Sequence, residues 1–217
     1  MFHLFRGLYD SYNKKKEYSI LILGLDNAGK TTFLEKLKEI YSKINKEKVK
    51  IIPNERILPT VGQNVGYIKA SKDTILKFWD VGGQTELRSM WANYFELAHG
   101  IIFVVDSCDR DRIEECQREL LKILDPDESQ FQSVGETDHY IDKSIPILML
   151  ANKQDRPEHL EVEDIKEIFN RIAEHLGARD SRVLPISALT GDGVQDAADW
   201  LLIRLARNKS NRPPKYK

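Results

Sequence analysis

One stretch of the 217-residue sequence decides the fold: Ser19-Ile20-Leu21-Ile22-Leu23-Gly24-Leu25-Asp26-Asn27-Ala28-Gly29-Lys30-Thr31. After Ser19, residues 20–23 form a continuous apolar run, which is typical of a strand buried on both faces. The last eight match G-x-x-x-x-G-K-[ST] at every required position, and residues 31–44 behind them have the spacing of a helix. Strand, loop and helix in this order predict a phosphate-binding loop. The alternative is a chance glycine turn before a helix.

The residue types in this loop suit a polyphosphate. Gly24 and Gly29 let the backbone curl so that N–H groups point at phosphate oxygens, and the helix beyond adds the positive end of its dipole. Lys30 supplies a charge for the β- and γ-phosphates, and the Thr31 hydroxyl is a ligand for Mg²⁺. The loop indicates a nucleoside triphosphate but not its base. Its predicted nucleotide-binding residues are Gly24, Leu25, Asp26, Asn27, Ala28, Gly29, Lys30, Thr31 and Thr32.

Outward from the loop, short apolar runs alternate with amphipathic stretches. Further buried strands are predicted at residues 75–79, 101–105, 147–150 and 183–186. Helices are predicted through Trp91 and Tyr94, over residues 110–124 and 162–176, and through Trp200. Residues 61–70 are predicted to form one antiparallel edge strand. The pattern predicts an α/β fold, with a six-stranded, mostly parallel sheet covered by helices on both faces.

Composition excludes several classes of protein. With 41% hydrophobic and 31% charged residues the chain has the composition of one soluble domain, and its net charge of −1 gives no reason to expect a nucleic-acid partner. The two cysteines, Cys108 and Cys116, do not make a disulfide framework. No apolar run is long enough to cross a bilayer, so a cytoplasmic protein is expected. Residues 125–144 are acidic and nearly free of apolar residues, which predicts a surface insertion.

Two segments have the character of metal and γ-phosphate sensors. Asp80 ends a strand, where it can hold Mg²⁺ through a water, and Gly83 can bring its N–H to the γ-phosphate. Gln84 is then placed to orient the attacking water, and Thr60 can offer its hydroxyl to the metal. Alone, the first segment is a strand-end turn and Thr60 a surface threonine; their order after the phosphate loop favours the sensor interpretation. The predicted metal ligands are Thr31, Thr60 and, through water, Asp80.

A third motif, Asn152-Lys153-Gln154-Asp155, follows a buried strand and predicts the base. The Asp155 carboxylate can accept hydrogen bonds from guanine N1–H and its exocyclic amine, donors that adenine lacks there. The Lys153 stem can cover the base, and Asn152 can tie the loops together. After the last strand, Ser187 precedes Ala188, whose N–H can meet the guanine carbonyl. The alternative for this motif is a polar strand-end loop.

Together these motifs resemble those of the Arf and Arf-like family of small GTPases, within it the Golgi-acting Arf-related members. The resemblance spans residues 17–207 and rests on the phosphate loop, on the segment Trp79 to Gln84 and on the segment Leu150 to Asp155. It implies the P-loop small-GTPase fold and a monomeric GTP/GDP switch that needs Mg²⁺. Such a switch hydrolyses GTP to GDP and phosphate slowly, with Lys30 and Gln84 as the catalytic residues. A partner arginine is expected to accelerate the reaction.

The resemblance also implies partners and a location. An exchange factor, an activating protein and effectors are expected, with a role in Golgi and endosomal vesicle transport and peripheral association with Golgi membranes. Residues 1–16 are predicted to be an amphipathic helix and linker for that membrane, 17–208 the GTPase domain, and 209–217 a basic C-terminal tail. The helix is expected to need a Golgi membrane-protein receptor as a second anchor. Its alternative is a helix that simply packs on the domain.

Two residues depart from the Arf pattern. Phe2 replaces the glycine that carries a myristoyl group, and Gln63 replaces a phenylalanine of the aromatic triad that reads the active state. Two other functions stay open at this point. One is a GTP-loaded membrane adaptor with negligible hydrolysis, and the other is a P-loop ATPase or nucleotide kinase, against which Asp155 argues.

Overall fold

The computed structural model describes residues 14–124, 141–170 and 172–217. Within them lie the strands β1 Lys16–Leu23, β2 Gln63–Lys69, β3 Thr74–Val81, β4 Gly100–Asp106, β5 Ile147–Asn152, β6 Ser181–Pro185 and β7 Lys215–Tyr216. The α-helices are α1 Lys30–Asn45, α2 Ile113–Leu124, α3 Val162–Asn170, α4 Ala173–Leu176 and α5 Val194–Arg207. Segments of 3₁₀-helix span Asn54–Arg56, Thr85–Leu97, Arg110–Arg112 and Asn208–Ser210.

The main sheet has the order β2-β3-β1-β4-β5-β6. Strands β3, β1, β4, β5 and β6 run parallel, and β2 pairs antiparallel with β3. The predicted six-stranded, mostly parallel sheet is therefore confirmed. Because the active loops of an open parallel sheet gather at the carboxyl ends of its strands, this topology fixes where a ligand has to bind.

Two apolar layers hold the helices to the sheet. Successive side chains of a strand point to opposite faces, so Leu21 and Leu23 pack in one layer with α2 and α3, and Ile20 and Ile22 in the other with α1 and α5. All four of these side chains are 0% exposed, as the continuous apolar run predicts. Helices on both faces are likewise confirmed.

Two predicted helices differ from the structure. Residues 85–97 form 3₁₀ turns instead of an α-helix, because Trp91 and Arg88 are tied by hydrogen bonds to the backbone carbonyls of the preceding loop. The helix predicted over residues 162–176 is two helices, α3 and α4. Between them the Ile172 N–H bonds the Phe169 carbonyl three residues back, so the α-helical ladder is interrupted.

The last residues of the sequence contribute a strand that was not predicted. Strand β7 pairs antiparallel with the start of β1, where Lys16 faces Tyr216 and Glu17 faces Lys215. Pro214 before it is buried. Part of the segment predicted as a basic tail is therefore a seventh strand of the sheet.

The predicted insertion and N-terminal helix lie mostly or entirely outside the described residues. Of the insertion, residues 125–140 are not described, but Ile141 is fully buried against the core. Arg179 donates to the carbonyls of Ile141, Asp142 and Ile145 and so anchors this end of the segment. Residues 1–13 also lie outside the description. Across the described ranges, no helix combines the length and apolar character needed to span a membrane.

Candidate functional site

The phosphate loop is a tight backbone turn between β1 and α1. Gly24, Asn27 and Gly29 have φ values of 136°, 58° and 92°, in the left-handed region where glycine is favoured. At Gly24 an added Cβ would lie 2.2 Å from the Val104 carbonyl oxygen, so a side chain has no room there. Glycine is therefore required both by the backbone conformation and by the closeness of β4.

Lys30 lies inside this turn. Its Nζ donates to the carbonyls of Gly24 at 2.9 Å and Leu25 at 2.7 Å, which holds the ammonium against the loop. The residue is only 7% exposed, and burial lowers the pKa of Lys30 to about 8. A phosphate oxygen beside Nζ would favour the charged form, because an opposite charge stabilises an ammonium in a poorly solvated place.

The three predicted metal ligands meet beside Lys30. The Thr31 hydroxyl donates to Asp80 Oδ2 at 2.7 Å and lies 3.0 Å from the Thr60 hydroxyl. Asp80 is 0% exposed, and burial raises the pKa of its carboxyl above the ordinary value. Its other oxygen, Oδ1, is buried and has no hydrogen-bond partner among the described residues. Oxygen donors with a free buried lone pair are what Mg²⁺ prefers, so these residues fit the ion.

The predicted γ-phosphate sensors border the same cavity. A cavity of about 230 Å³ opens between the phosphate loop and residues 57–60, and Gln84 is one of its lining residues. Gly83 packs so closely on the loop that an added Cβ would lie 2.5 Å from Lys30 Nζ. Of the predicted site residues, the cavity is lined by Asp26, Asn27, Gly29, Lys30, Thr31, Thr32, Thr60, Gly83 and Gln84.

The predicted base-reading residues form a second group at the ends of β5 and β6. Asn152 joins it to the phosphate loop, because Nδ2 donates to the Ala28 carbonyl at 2.7 Å while Oδ1 accepts the Ala188 N–H at 2.9 Å. The Ser187 hydroxyl donates to Asp155 Oδ1 at 2.6 Å and so orients that exposed carboxylate. The Ala188 N–H is thus bonded to Asn152, and its contact with the guanine carbonyl stays a prediction.

Three charged residues of the site lie outside the sequence motifs: Asp106, Arg112 and Arg88. Lys153, at φ 69°, forms an ion pair with Asp106 at the end of β4, which fixes the lysine stem. Arg112 donates to Asp26 at 2.9 Å, and Arg88 donates to the Gly83 carbonyl at 2.9 Å. Asp106 is detectable in the sequence as a polar residue ending a buried strand. Neither arginine contact was predicted. Arg112 lies 86 residues from Asp26 in the sequence, and Arg88, five residues after Gly83, lies in a segment that was predicted to be an α-helix.

Comparison with known proteins agrees with this geometry. The model of the ADP-ribosylation factor family matches residues 5–205. The chain is 58% identical, over all of both chains, to ADP-ribosylation factor-like protein 3 of Saccharomyces cerevisiae. It is 40% identical to ADP-ribosylation factor-related protein 1 of Bos taurus, over all of this chain and 98% of that protein.

A solved structure supports the same assignment. The Arl6 BBS3 small GTPase from Trypanosoma brucei, with the nucleotide analogue GppNp bound, superposes with a TM-score of 0.68 at 26% identity. The match covers 88% of this chain and 99% of that one. The chain therefore belongs to the ADP-ribosylation factor family, as a small GTPase that binds GTP or GDP with Mg²⁺ and hydrolyses GTP.

Proposed function

We propose that this GTPase is a membrane-coupled switch that recruits effectors in Golgi and endosomal vesicle transport. The observation that carries the proposal is the β2–β3 hairpin, which joins the two γ-phosphate sensors. Thr60 lies three residues before β2, and Gly83 two residues after β3. A change at the γ-phosphate therefore acts on both ends of one hairpin, and the hairpin is a suitable element to report the nucleotide state.

The surface around this hairpin is suited to a partner. Leu58 and Val61 are 78% and 80% exposed although both are apolar. The Trp79 ring on β3 and the Tyr94 ring, both half-buried, lie with centroids 5.4 Å apart at an angle of 43°, and Lys77 Nζ lies 3.8 Å from the centroid of the Trp79 ring. Apolar and aromatic groups on an exposed surface mark interaction sites. We propose that effectors contact this surface when GTP holds Thr60 and Gly83 in the site.

The proposed hydrolysis is attack of a water, oriented by Gln84, on the γ-phosphate. Thr31, Thr60 and Asp80 would hold Mg²⁺, which neutralises phosphate charge when bound, and Lys30 would add its own charge to the β- and γ-phosphates. Arg88 and Arg112 both bond carboxylates of this chain instead of facing the cavity. A partner's arginine is therefore proposed to supply the remaining stabilisation, about 10³- to 10⁵-fold in rate.

The effector and membrane roles are tested with a matched pair of variants in cells. Gln84→Leu is expected to hold the GTP state and Thr31→Asn to lose it, because Asn cannot replace the threonine hydroxyl at the metal. We expect Gln84→Leu at Golgi membranes and Thr31→Asn in the cytosol. The same distribution for both variants would contradict a nucleotide-controlled membrane switch.

The proposed membrane helix needs its own test, because residues 1–13 lie outside the described structure. Liposome sedimentation of the full chain is expected to be stronger with a GTP analogue than with GDP. Removal of residues 1–13 is expected to abolish that difference while GTP affinity is unchanged. Equal sedimentation of the full and shortened chains would contradict the membrane role of this segment.

A further inference from the structure

Arg88 is an arginine with a buried side chain that contacts the loop carrying Gly83 and Gln84. It lies in the 3₁₀ segment Thr85–Leu97, and its side chain is only 8% exposed. Its Nε donates to the Gly83 carbonyl oxygen at 2.9 Å. Neither sensing of the γ-phosphate nor metal binding uses this contact, and Arg88 is not among the residues that line the phosphate cavity.

Two carboxylates of α2 hold the guanidinium of Arg88 in place. Its NH1 donates to Glu115 at 2.7 Å and lies 3.5 Å from Glu119. Its NH2 lies 4.0 Å from Asp26, which in turn accepts from Arg112 at 2.9 Å. The planar guanidinium has fixed donor directions, so carboxylates on one side determine where Nε points on the other.

The Gly83 carbonyl, which accepts the hydrogen bond from Arg88 Nε, belongs to a flexible peptide. Glycine has more freedom of backbone rotation than other residues, so the Gly83–Gln84 peptide has no side-chain constraint of its own. The preceding peptide is fixed from the same segment, because Trp91 Nε1 donates to the Gly82 carbonyl at 2.9 Å. Two consecutive carbonyls, those of Gly82 and Gly83, are thus bound by side chains that follow them in the sequence.

We propose that Arg88 is a positioning residue for GTP hydrolysis, and that Glu115 acts through it. By fixing the Gly83 carbonyl, Arg88 fixes the peptide from which the Gln84 side chain starts. It also sets the orientation of Gly83, whose Cα lies against Lys30 and the phosphate loop. The inference rests on the proposed roles of Gly83 and Gln84. It differs from an arginine finger because the Arg88 guanidinium is held by carboxylates of this chain and donates to the Gly83 carbonyl.

The test is single-turnover hydrolysis of bound GTP, measured together with GDP dissociation. For Arg88→Ala we expect about a 10²-fold lower hydrolysis rate, the loss that about 1 Å of misplacement causes in a positioned group. GDP dissociation is expected to change less than about 2-fold, because Gly83 and Gln84 lie on the γ-phosphate side of the site. Arg118→Ala, at an exposed arginine of α2, is the control and is expected to change neither quantity.

Variants of Glu115 distinguish a positioning role of Arg88 from a general role in stability. Glu115→Gln keeps the shape of the side chain but weakens the hold on NH1, so about a 5-fold loss of rate is expected in the wild-type background. In the Arg88→Ala background the same change is expected to cost nothing, because Glu115 then has no arginine to orient. Arg88→Lys keeps the charge but lacks the planar set of donors that the guanidinium presents. Relative to Arg88→Ala, it is expected to recover less than half of the lost activation free energy.

Three results would overturn the proposal. One is wild-type hydrolysis in Arg88→Ala, and another is losses from Arg88→Ala and Glu115→Gln that multiply in the double variant. The third is a GDP dissociation rate that rises in proportion to the loss of hydrolysis, which would show a general loss of structure. Gln84→Leu reports separately on the proposed function: if that variant hydrolyses GTP normally, the role of Gln84 is wrong, whatever Arg88→Ala does.

Discussion

The two ends of strand β1 are built in opposite ways. At its carboxyl end, the loop after Leu23 has backbone in the left-handed region, and Asp80 beside it keeps a buried oxygen without a partner. At its amino end, the polar groups of β1 and of the tail segment, residues 211–217, bond one another. The first end holds strain and unpaired polar groups for a ligand, whereas the second closes the sheet.

At the amino end of β1, hydrogen bonds and an ion pair join the start of the strand to the tail segment. Lys15 N–H donates to the Lys217 carbonyl oxygen at 2.9 Å, and Lys217 N–H returns the bond at 3.0 Å. Glu17 is 4% exposed and forms an ion pair with the Lys217 side chain. His99 bridges the two segments, because Nδ1 accepts the Ser19 N–H at 3.0 Å and Nε2 lies 3.0 Å from the Pro213 carbonyl oxygen.

This difference teaches where substitutions should act. Changes to site side chains at the carboxyl ends of the strands should alter nucleotide binding or hydrolysis more than they alter the free energy of unfolding, whereas a clash with the backbone there, as at Gly24, should alter both. Changes at the tail segment should lower the free energy of unfolding and leave nucleotide binding nearly unchanged. The predictions below follow from that contrast, and each names a result that would break it.

The largest effect is expected at Asp155. Asp155→Asn replaces an acceptor of two guanine donors by an amide that opposes one of them, so GTP affinity should fall about 10⁴-fold and approach the affinity for ATP. Ser187→Ala, which removes only the hydroxyl that orients the carboxylate at 2.6 Å, should cost about 10-fold. Competition of GTP and ATP against a fluorescent GDP measures both. An unchanged preference for GTP in Asp155→Asn would refute the base assignment.

The next largest effect is expected at Gly24, and a comparison with Gly177 distinguishes the cost of a steric clash from the cost of backbone strain. Gly24→Ala places a Cβ 2.2 Å from the Val104 carbonyl oxygen at φ 136°, whereas Gly177→Ala, at φ 57°, has no neighbour within 4 Å. Gly177→Ala should therefore lower the free energy of unfolding by about 1 kcal/mol. Gly24→Ala should lower it by more than about 3 kcal/mol and should also impair nucleotide binding. Urea unfolding and GDP titration check this. Equal costs for the two variants would mean that the loop shifts to admit the methyl group.

The contrast between the two ends also explains what could be predicted from sequence. Residues such as Lys30, Asp80 and Asp155 were predictable as site residues because the motifs of a nucleotide site need those residue types at nearly fixed spacings. Their gathering at one edge follows from the parallel sheet, and the structure places them there. Continuous apolar strands such as β1 and β4 were predictable because burial on both faces leaves no alternation.

The amino end was not predictable for a physical reason. Strand β7 is two residues long and carries no apolar pattern. Its position depends instead on backbone hydrogen bonds to Lys15 and on the Pro213 contact with His99, which require no particular side chains in β7. The same holds for Arg88, whose partners on α2 are distant in sequence. Contacts between segments that any polar residue could make leave no periodic or spaced pattern to recognise.

Removal of the tail segment should reduce stability and leave nucleotide binding intact. Deletion of residues 212–217, all but the first residue of the tail segment, removes the two paired bonds with Lys15, the His99–Pro213 contact and the two bonds from Arg212 to the carbonyls of Phe95 and Glu96. At about 0.5 kcal/mol each, loss of these five hydrogen bonds should lower the free energy of unfolding by about 2.5 kcal/mol. Lys215→Ala, at an exposed residue of β7, is the control and should change it by less than about 0.5 kcal/mol.

The readouts for that deletion are urea unfolding and GDP dissociation. The dissociation rate should change less than about 2-fold, because the partners of the lost contacts, Lys15, His99 and residues 95–96, do not line the phosphate cavity. A rise comparable with that of a site variant would break the contrast between the two ends. It would show that the start of β1 transmits its position to the phosphate loop.

The smallest effect is expected from the titration of His99. Its Nδ1 accepts the Ser19 N–H, so the neutral ring must carry its proton on Nε2 and donate to the Pro213 carbonyl. Burial lowers the pKa of His99 below its ordinary value, and the positive charges of Arg212 and Lys215 act in the same direction. The folded protein therefore takes up this proton less readily than the unfolded chain does. The resulting stabilisation is complete above the unfolded pKa of about 6.5 and is lost as pH falls from there toward the folded pKa.

His99→Gln isolates this contribution, because a glutamine amide can accept from Ser19 and donate to Pro213 without titrating. Between pH 7.5 and 5.5 the wild-type chain should lose more unfolding free energy than the variant, and every other titrating group cancels in the difference. Parallel stability curves for the two proteins would mean that the ring gives up its bond to Ser19 without cost. The tail segment would then be held mainly by its backbone pairing with Lys15, the ion pair of Glu17 and the bonds from Arg212 to the carbonyls of Phe95 and Glu96.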